Sequence, residues 1–371
     1  MTKFNKAYIN HFDSISCAGD NCLDLFESIC LKKDTLTLDK NYVPSKISCI
    51  GKISTNKTFD QLLYETCLNV LNNSSLKNFD DTLLVVGSSV GGMFHTEKSY
   101  LKNKDYKNID YKKHMISSIA VFLQEKFAFR DDVSFSTACT SSANAMGYAK
   151  EVINKGIYKN VLVVGIDSLS HTTVCGFSGL SVLSSKVSKP FDKNRDGMNV
   201  SEAIAVLLLQ DKKEENSLLF CGVGYSSDAH HMTQPQPEGK GAKLAMQNAL
   251  LSGNVGIADV SYINAHGTGT KANDSSEAAA IHSLFKNYKP YVCSTKSITG
   301  HTLGAAGALE AIITCMVLQK QIITPNTNLR EIEKNELNFP LETIEKKVSY
   351  ALSNSFAFGG NNTSLLFGLC E

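Results

Sequence analysis

The chain has 371 residues, 37 Lys and Arg against 36 Asp and Glu, a formal net charge of +1, and 43% hydrophobic and 20% charged residues. This is the profile of a globular protein with a sizeable core. It offers no field to gather nucleic acid or anionic lipid, so neither is expected as a partner. No uninterrupted apolar run approaches the ~18 residues of a membrane helix. The N-terminus leads into no secretory h-region, so a cytoplasmic location is expected.

In chain order, Cys22–Cys30 has a helical pattern and Lys46–Ser54 fits either a strand or a turn. From there strands and helices alternate. Strands are expected at Leu83–Val90, Val133–Ala138, Asn160–Asp167, Ala203–Gln210, Leu219–Ser226, Val260–His266, Tyr291–Thr295, Val348–Phe356 and Thr363–Gly368. Several are too uniformly apolar to keep one wet face. Helical patterns lie at Met115–Phe127, Ser141–Lys155, Lys240–Leu251, Ser275–Phe285 and Ala305–Gln321. Such alternation predicts mostly parallel α/β sheets covered by helices. The charged stretch Asp211–Asn216 reads as a joint between halves 1–213 and 214–371. A faint repeat agrees with that division: Thr137–Ala143 and Ser294–Ala308 each run from a strand into a helix of small residues, which permits close backbone approach.

The eleven cysteines include no CxxC pair, which favours neither a zinc site nor a disulfide framework. Cys139 stands apart because it lies between a strand and a helix start, where unpaired N–H groups favour a thiolate and could hold an oxyanion. Taken alone, a buried structural thiol is an equally good reading. His266, before Gly267-Thr268-Gly269-Thr270, and His301, after Gly300, also fall at strand carboxyl ends, where α/β sheets place their ligand sites. Lys296 shares the loop of His301, and Glu310, Asp274 and Glu277 are the acids that could pair with it. Competing motifs fail. Gly87–Gly92 lacks GxGxxG spacing, His230-His231 lacks partners at metal-ligand spacing, and there is no GxSxG elbow. Phe356-Ala357-Phe358-Gly359-Gly360 reads as a turn whose N–H groups can face a cavity.

These blocks together resemble the β-ketoacyl-acyl carrier protein synthases with a Cys-His-His site. The matching pieces are Ser136–Ser142, Pro190–Gly197, Ser226–Met232, Asn264–Thr270, Asn273–Glu277, Lys296–Gly307 and the Phe358-Gly359-Gly360 turn, in order from about residue 80 onward. The resemblance implies a thiolase-like fold, with two similar halves in a five-layer α-β-α-β-α arrangement, and a dimer. It also implies roles. Cys139 takes an acyl chain from acyl carrier protein. His266 and His301 act on the malonyl thioester, and Lys296 orients the site with Glu310 as partner. The N–H groups of Cys139 and Phe358 form an oxyanion hole, with Phe358 also a gate, and Asp274 and Glu277 support. No cofactor or metal is implied. The alternatives are a thiolase acting on coenzyme A esters, a catalytically silent chain-length subunit, and a Cys-His hydrolase. Intact Cys139, His266 and His301 argue against the silent subunit.

The sequence departs from the family pattern in three places. The segment from Val90 to Met115 is short, Ser201-Glu202-Ala203 replaces the usual Gly-Glu-Gly, and the terminal turn carries Ala357 and Asn361. The last variant is similar to ketosynthases of aryl-polyene and related pathways, which implies either a homodimer or a heterodimer with a chain-length-type partner.

Overall fold

The computed structural model describes residues 5–43, 47–333 and 336–370. Five strands build the first half: β1 (Tyr8–Ser16), β2 (Thr82–Gly87), β3 (Asp132–Phe135), β4 (Asn160–Asp167) and β5 (Ala203–Gln210). Five more build the second: β6 (Leu218–Ser227), β7 (Val260–Asn264), β8 (Tyr291–Cys293), β9 (Tyr350–Phe356) and β10 (Asn361–Leu369). Within each half the order is the same, β3-β2-β4-β5-β1 and β8-β7-β9-β10-β6. The first three strands in each order are parallel, and the remaining pairings are antiparallel. The halves were expected as separate sheets. They are joined, because β1 and β6 pair at Tyr8–Leu219 and Ile9–Leu218, so hydrogen bonding runs through all ten strands.

Among the described residues, nine helices of nine or more residues complete the frame: α1 (Cys22–Cys30), α2 (Phe59–Asn72), α3 (Met93–Asn103), α4 (Ser117–Phe127), α5 (Ser141–Asn154), α6 (His171–Gly179), α7 (Lys240–Gly253), α8 (Lys271–Phe285) and α9 (Ala306–Lys320). The uniformly apolar strands are explained by burial on both faces. In β5, Ala203, Ala205, Leu207 and Leu209 join the central core with α5 and α9, while Ile204, Val206 and Leu208 join an outer core with α2 and α4. In the second half, Ile263, Leu352 and Leu366 pack outward on α7 and α8, and Tyr262, Ala351 and Leu365 pack inward. Helices α2 and α4, a sheet half, α5 and α9, the other sheet half, and α7 and α8 therefore make five layers.

The helical run Leu303–Lys320 is long and apolar enough to cross a membrane by length and composition, although Glu310, Thr314 and Gln319 interrupt its apolar residues. It is buried between the two sheet halves. Helices α5 and α9 cross closely enough that a Cβ on Gly307 would lie 2.6 Å from the Ala143 nitrogen. The small residues at both helix starts are there for this approach. In the stretch Lys46–Ser54, Ser48–Ile50 forms a short strand paired with Thr37–Asp39, and Lys46 lies outside the described residues.

Candidate active site

The carboxyl ends of the parallel strands in the two halves face one cavity of about 310 Å³. Cys139 follows β3 and precedes α5, His266 follows β7, His301 follows β8, and Phe358 follows β9; all four line the cavity. The cysteine turn is a strained elbow. Ala138 has φ +52°, and its carbonyl accepts hydrogen bonds from Ser89 Oγ at 2.9 Å and Ser141 Oγ at 2.6 Å.

His301 Nε2 lies 3.0 Å from Cys139 Sγ. The His266 ring meets His301 edge-on, with centroids 5.2 Å apart and planes at 85°. Main-chain bonds hold His301 in place: its N–H donates to Asn199 O at 2.7 Å, and its carbonyl accepts from Ser201 N–H at 3.0 Å. Ser201, one of the departures from the family pattern, supports His301 through its main-chain N–H, which a glycine would also offer. Gly300 (φ +64°) has no room for a side chain, since a Cβ there would lie 2.6 Å from that of Ser201.

Among the three acids, Glu310 is the partner of Lys296. They form a buried ion pair, and the Lys296 ammonium also donates to His266 O at 2.6 Å. Glu277 accepts from the N–H groups of His266 (2.9 Å) and Gly267 (2.8 Å), and so fixes the histidine loop. Asp274 serves a shell farther out, accepting from Phe191 N–H at 2.8 Å and lying 3.7 Å from the Arg195 guanidinium. Burial pushes both Glu277 and Glu310 up to about 7, against the hydrogen bonds and the Lys296 charge that pull them down.

The helix start was expected to favour a thiolate at Cys139. Burial instead pushes the thiol up to about 12; the Lys296 charge and the N–H groups of Phe358 and Cys139 act the other way and are outweighed. Desolvation of the ion exceeds the pull of dipoles that could stabilise it. Those same two N–H groups lie near enough to the sulfur to act on its charge. Burial, with Lys296 adding to it, holds both histidines well below the usual imidazole range, so both are neutral near pH 7.

Sequence reasoning passed over Asp167. Its carboxylate accepts from Ser88 Oγ (2.6 Å), Ser89 N–H (3.0 Å), Val90 N–H (3.1 Å) and Gly304 N–H (2.6 Å). It ties the two halves together beside Cys139 and His301, and it occupies the Gly87–Gly92 segment with a structural duty. An acid closing the apolar run of β4 was the available signal. The terminal turn is pinned by Asn361, which accepts from Thr140 Oγ1 at 2.9 Å, while the Phe358 ring lies 6.1 Å from that of Phe177 across the cavity. His231 lines the cavity rim.

A thiolase-like fold presenting a buried Cys-His-His set with two main-chain donors defines an acyl-transferring condensing enzyme. The family comparison makes this specific. The β-ketoacyl synthase N-terminal domain matches residues 50–215 and its C-terminal domain residues 219–330, and the chain belongs to this family. It is 32% identical to 3-oxoacyl-[acyl-carrier-protein] synthase 2 of Coxiella burnetii, over 88% of this chain and 86% of that protein. It is 39% identical to the mitochondrial 3-oxoacyl-[acyl-carrier-protein] synthase of Arabidopsis thaliana, over 62% of this chain and 55% of that one. Among solved structures, it is similar to a chain of the ketosynthase–chain length factor complex from Xenorhabdus doucetiae. That match has a TM-score of 0.89 and 29% identity, covering 100% of this chain and 99% of that one.

Proposed function

We propose that Cys139 is the acyl acceptor and that His266 and His301 are the donors of the condensation step. The carrying observation is the 3.0 Å approach of His301 Nε2 to Cys139 Sγ inside the cavity that His266 and Phe358 also line. In the first half-reaction the Cys139 sulfur attacks the carbonyl of an acyl thioester on acyl carrier protein. The thiol proton ends on the departing carrier thiol, so the half-reaction is proton-neutral. In the second, malonyl-carrier protein loses carbon dioxide, and the electron pair of the broken C–C bond becomes an enolate. The Nε2–H groups of His266 and His301 stabilise the enolate oxygen. Being neutral, they can donate to it without acting as strong acids toward its carbon. The enolate carbon then attacks the Cys139 thioester, whose oxyanion sits on the N–H groups of Cys139 and Phe358. Breaking the C–S bond releases a 3-oxoacyl chain two carbons longer and regenerates the thiolate. Lys296 and Glu310 orient the His266 loop, with Glu277 and Asp274 behind it.

The two halves, 1–213 and 214–371, are best read as repeated units, which their common strand order supports. Carrier protein as partner is supported by the names of the relatives. The likeness to a ketosynthase–chain length factor complex supports a heterodimer with a chain-length-type subunit in a specialised pathway such as aryl-polyene synthesis, a homodimer being the alternative. Eleven free thiols fit a reducing cytoplasm.

Mass spectrometry after incubation with acyl-carrier proteins of several chain lengths is expected to find the acyl group on Cys139, and none on the Cys139→Ala protein. No adduct on the wild type would overturn the reading. His301→Ala is expected to acylate still but to lose about 100-fold in condensation, the usual cost of one transition-state donor. Equal loss of both steps would make His301 a purely structural residue. Native mass of the purified chain, alone and with a co-expressed chain-length-type subunit, distinguishes homodimer from heterodimer.

A further inference from the structure

Cysteine spacing argues against a metal site, yet folding draws one thiol and two imidazoles from three distant loops into a single buried cluster. The ligating atoms of Cys139, His266 and His301 all lie within 4.8 Å of one another. We propose that these three side chains form an inhibitory binding site for a thiophilic divalent cation of the Zn²⁺ class, with the fourth coordination position open to the cavity. The site uses the same side chains as the proposed reaction but does not require that reaction to occur.

Geometry favours this occupant. With metal–sulfur and metal–nitrogen bonds of about 2.3 and 2.0–2.1 Å, a tetrahedral centre needs its ligand atoms about 3.3–3.6 Å apart. His301 Nε2 and Cys139 Sγ, at 3.0 Å, need only separate slightly, and a gap of 4.8 Å must close by about 1.2–1.5 Å. No hydrogen bond from another described residue to either Nδ1 opposes that movement. Ligand chemistry sets the class. One thiolate with two imidazoles selects Zn²⁺ or its thiophilic neighbours over Mg²⁺ and Ca²⁺. The nearby carboxylates are already committed, Glu310 to Lys296 and Glu277 to backbone N–H groups.

Charge is also manageable, since Lys296 is matched by Glu310. Binding breaks the Cys139 S–H bond; the proton leaves to solvent and the sulfur pair goes to the metal. The centre then carries one net positive charge, which a hydroxide, a chloride or a ligand carboxylate entering from the cavity can neutralise. A sulfur engaged in this way cannot attack a thioester. Metal and acyl group therefore exclude each other.

Co²⁺ reports this site without any turnover. Titrating the purified enzyme with Co²⁺ is expected to give tetrahedral d–d bands together with a thiolate-to-cobalt charge-transfer band, both displaced by Zn²⁺. The charge-transfer band is expected to vanish in Cys139→Ala and in wild type alkylated at Cys139, a control that does not depend on how the variant folds. His266→Ala is expected to keep the sulfur band but bind at least about 100-fold more weakly, the upper end of what loss of even an outer-shell partner costs. Zn²⁺ is expected to slow iodoacetamide labelling of Cys139, with recovery on chelation. Absence of the band, its persistence after Cys139 is blocked, or unchanged affinity in His266→Ala would each overturn the proposal. Because no step requires condensation, a failure here is separate from a failure of the proposed reaction.

Discussion

Lys296 and Glu310 form a buried ion pair behind the histidines, and removing one partner tests what that pair does. Lys296→Met leaves the Glu310 carboxyl without its cation and the His266 carbonyl without its 2.6 Å donor. Breaking a buried pair from one side costs about 3–5 kcal/mol, because the remaining group is buried without compensation. Unfolding entropy of about 2.1 cal/mol/K per residue over 371 residues is about 0.8 kcal/mol/K, so the expected fall in Tm is about 4–6 °C. The double variant Lys296→Met, Glu310→Leu removes both charges and leaves only the His266 carbonyl unmet. That costs about 1–3 kcal/mol, or about 1–4 °C.

Thermal unfolding of the three proteins measures the difference, and iodoacetamide labelling at constant pH reads the thiol. Lys296 pulls the Cys139 thiol down against burial, so both variants should label more slowly, and by a similar factor. A double variant no more stable than Lys296→Met would refute the ion-pair argument. Unchanged labelling would show that Lys296 does not tune the nucleophile.

Two further outcomes follow from the same neighbourhood. Glu277 is raised from 4.5 to about 7 in the folded chain, so it stays protonated over a range where the unfolded chain has already ionised. Its stabilising contribution is complete below about pH 4.5 and is lost as pH rises through about 7. The two histidines titrate in the opposite sense, which a difference measurement cancels. The stability gap between wild type and Glu277→Gln in urea should therefore narrow from pH 5 to pH 8, roughly the span of the shift, and a widening gap would contradict the assignment. At the helix crossing, Gly307→Val would drive side-chain carbon into Ala143, where even a Cβ lies 2.6 Å from its nitrogen. A cost of about 1–3 kcal/mol and slower acylation of Cys139 are expected. Gly176→Ala, with no atom within 4 Å of the added carbon, is the control that should lose nothing.

Much of this protein was determined by sequence alone. Strands such as Asn160–Asp167 and Ala203–Gln210 are legible because burial on both faces demands unbroken apolar residues. Cys139, His266 and His301 are legible because each stands beside small or glycine residues at a strand's carboxyl end. Other elements were not. Strand β1 hides because its buried polar residues are satisfied from afar: Asn10 bonds Gln210 and Asp13 bonds Asn69. Helix α3 buries none of its residues and α6 only Val174, so neither carries an apolar period to read. Helix α2 is signalled locally by its Thr58–Gln61 capping box.

Only the tertiary structure decided which acid meets Lys296, that Asp167 ties the two halves together, and that burial outweighs the Lys296 charge and the two N–H groups at the Cys139 thiol. These depend on distances between residues as much as 162 positions apart, as Cys139 and His301 are, and on how much water each charge has lost. Local pattern carries neither quantity.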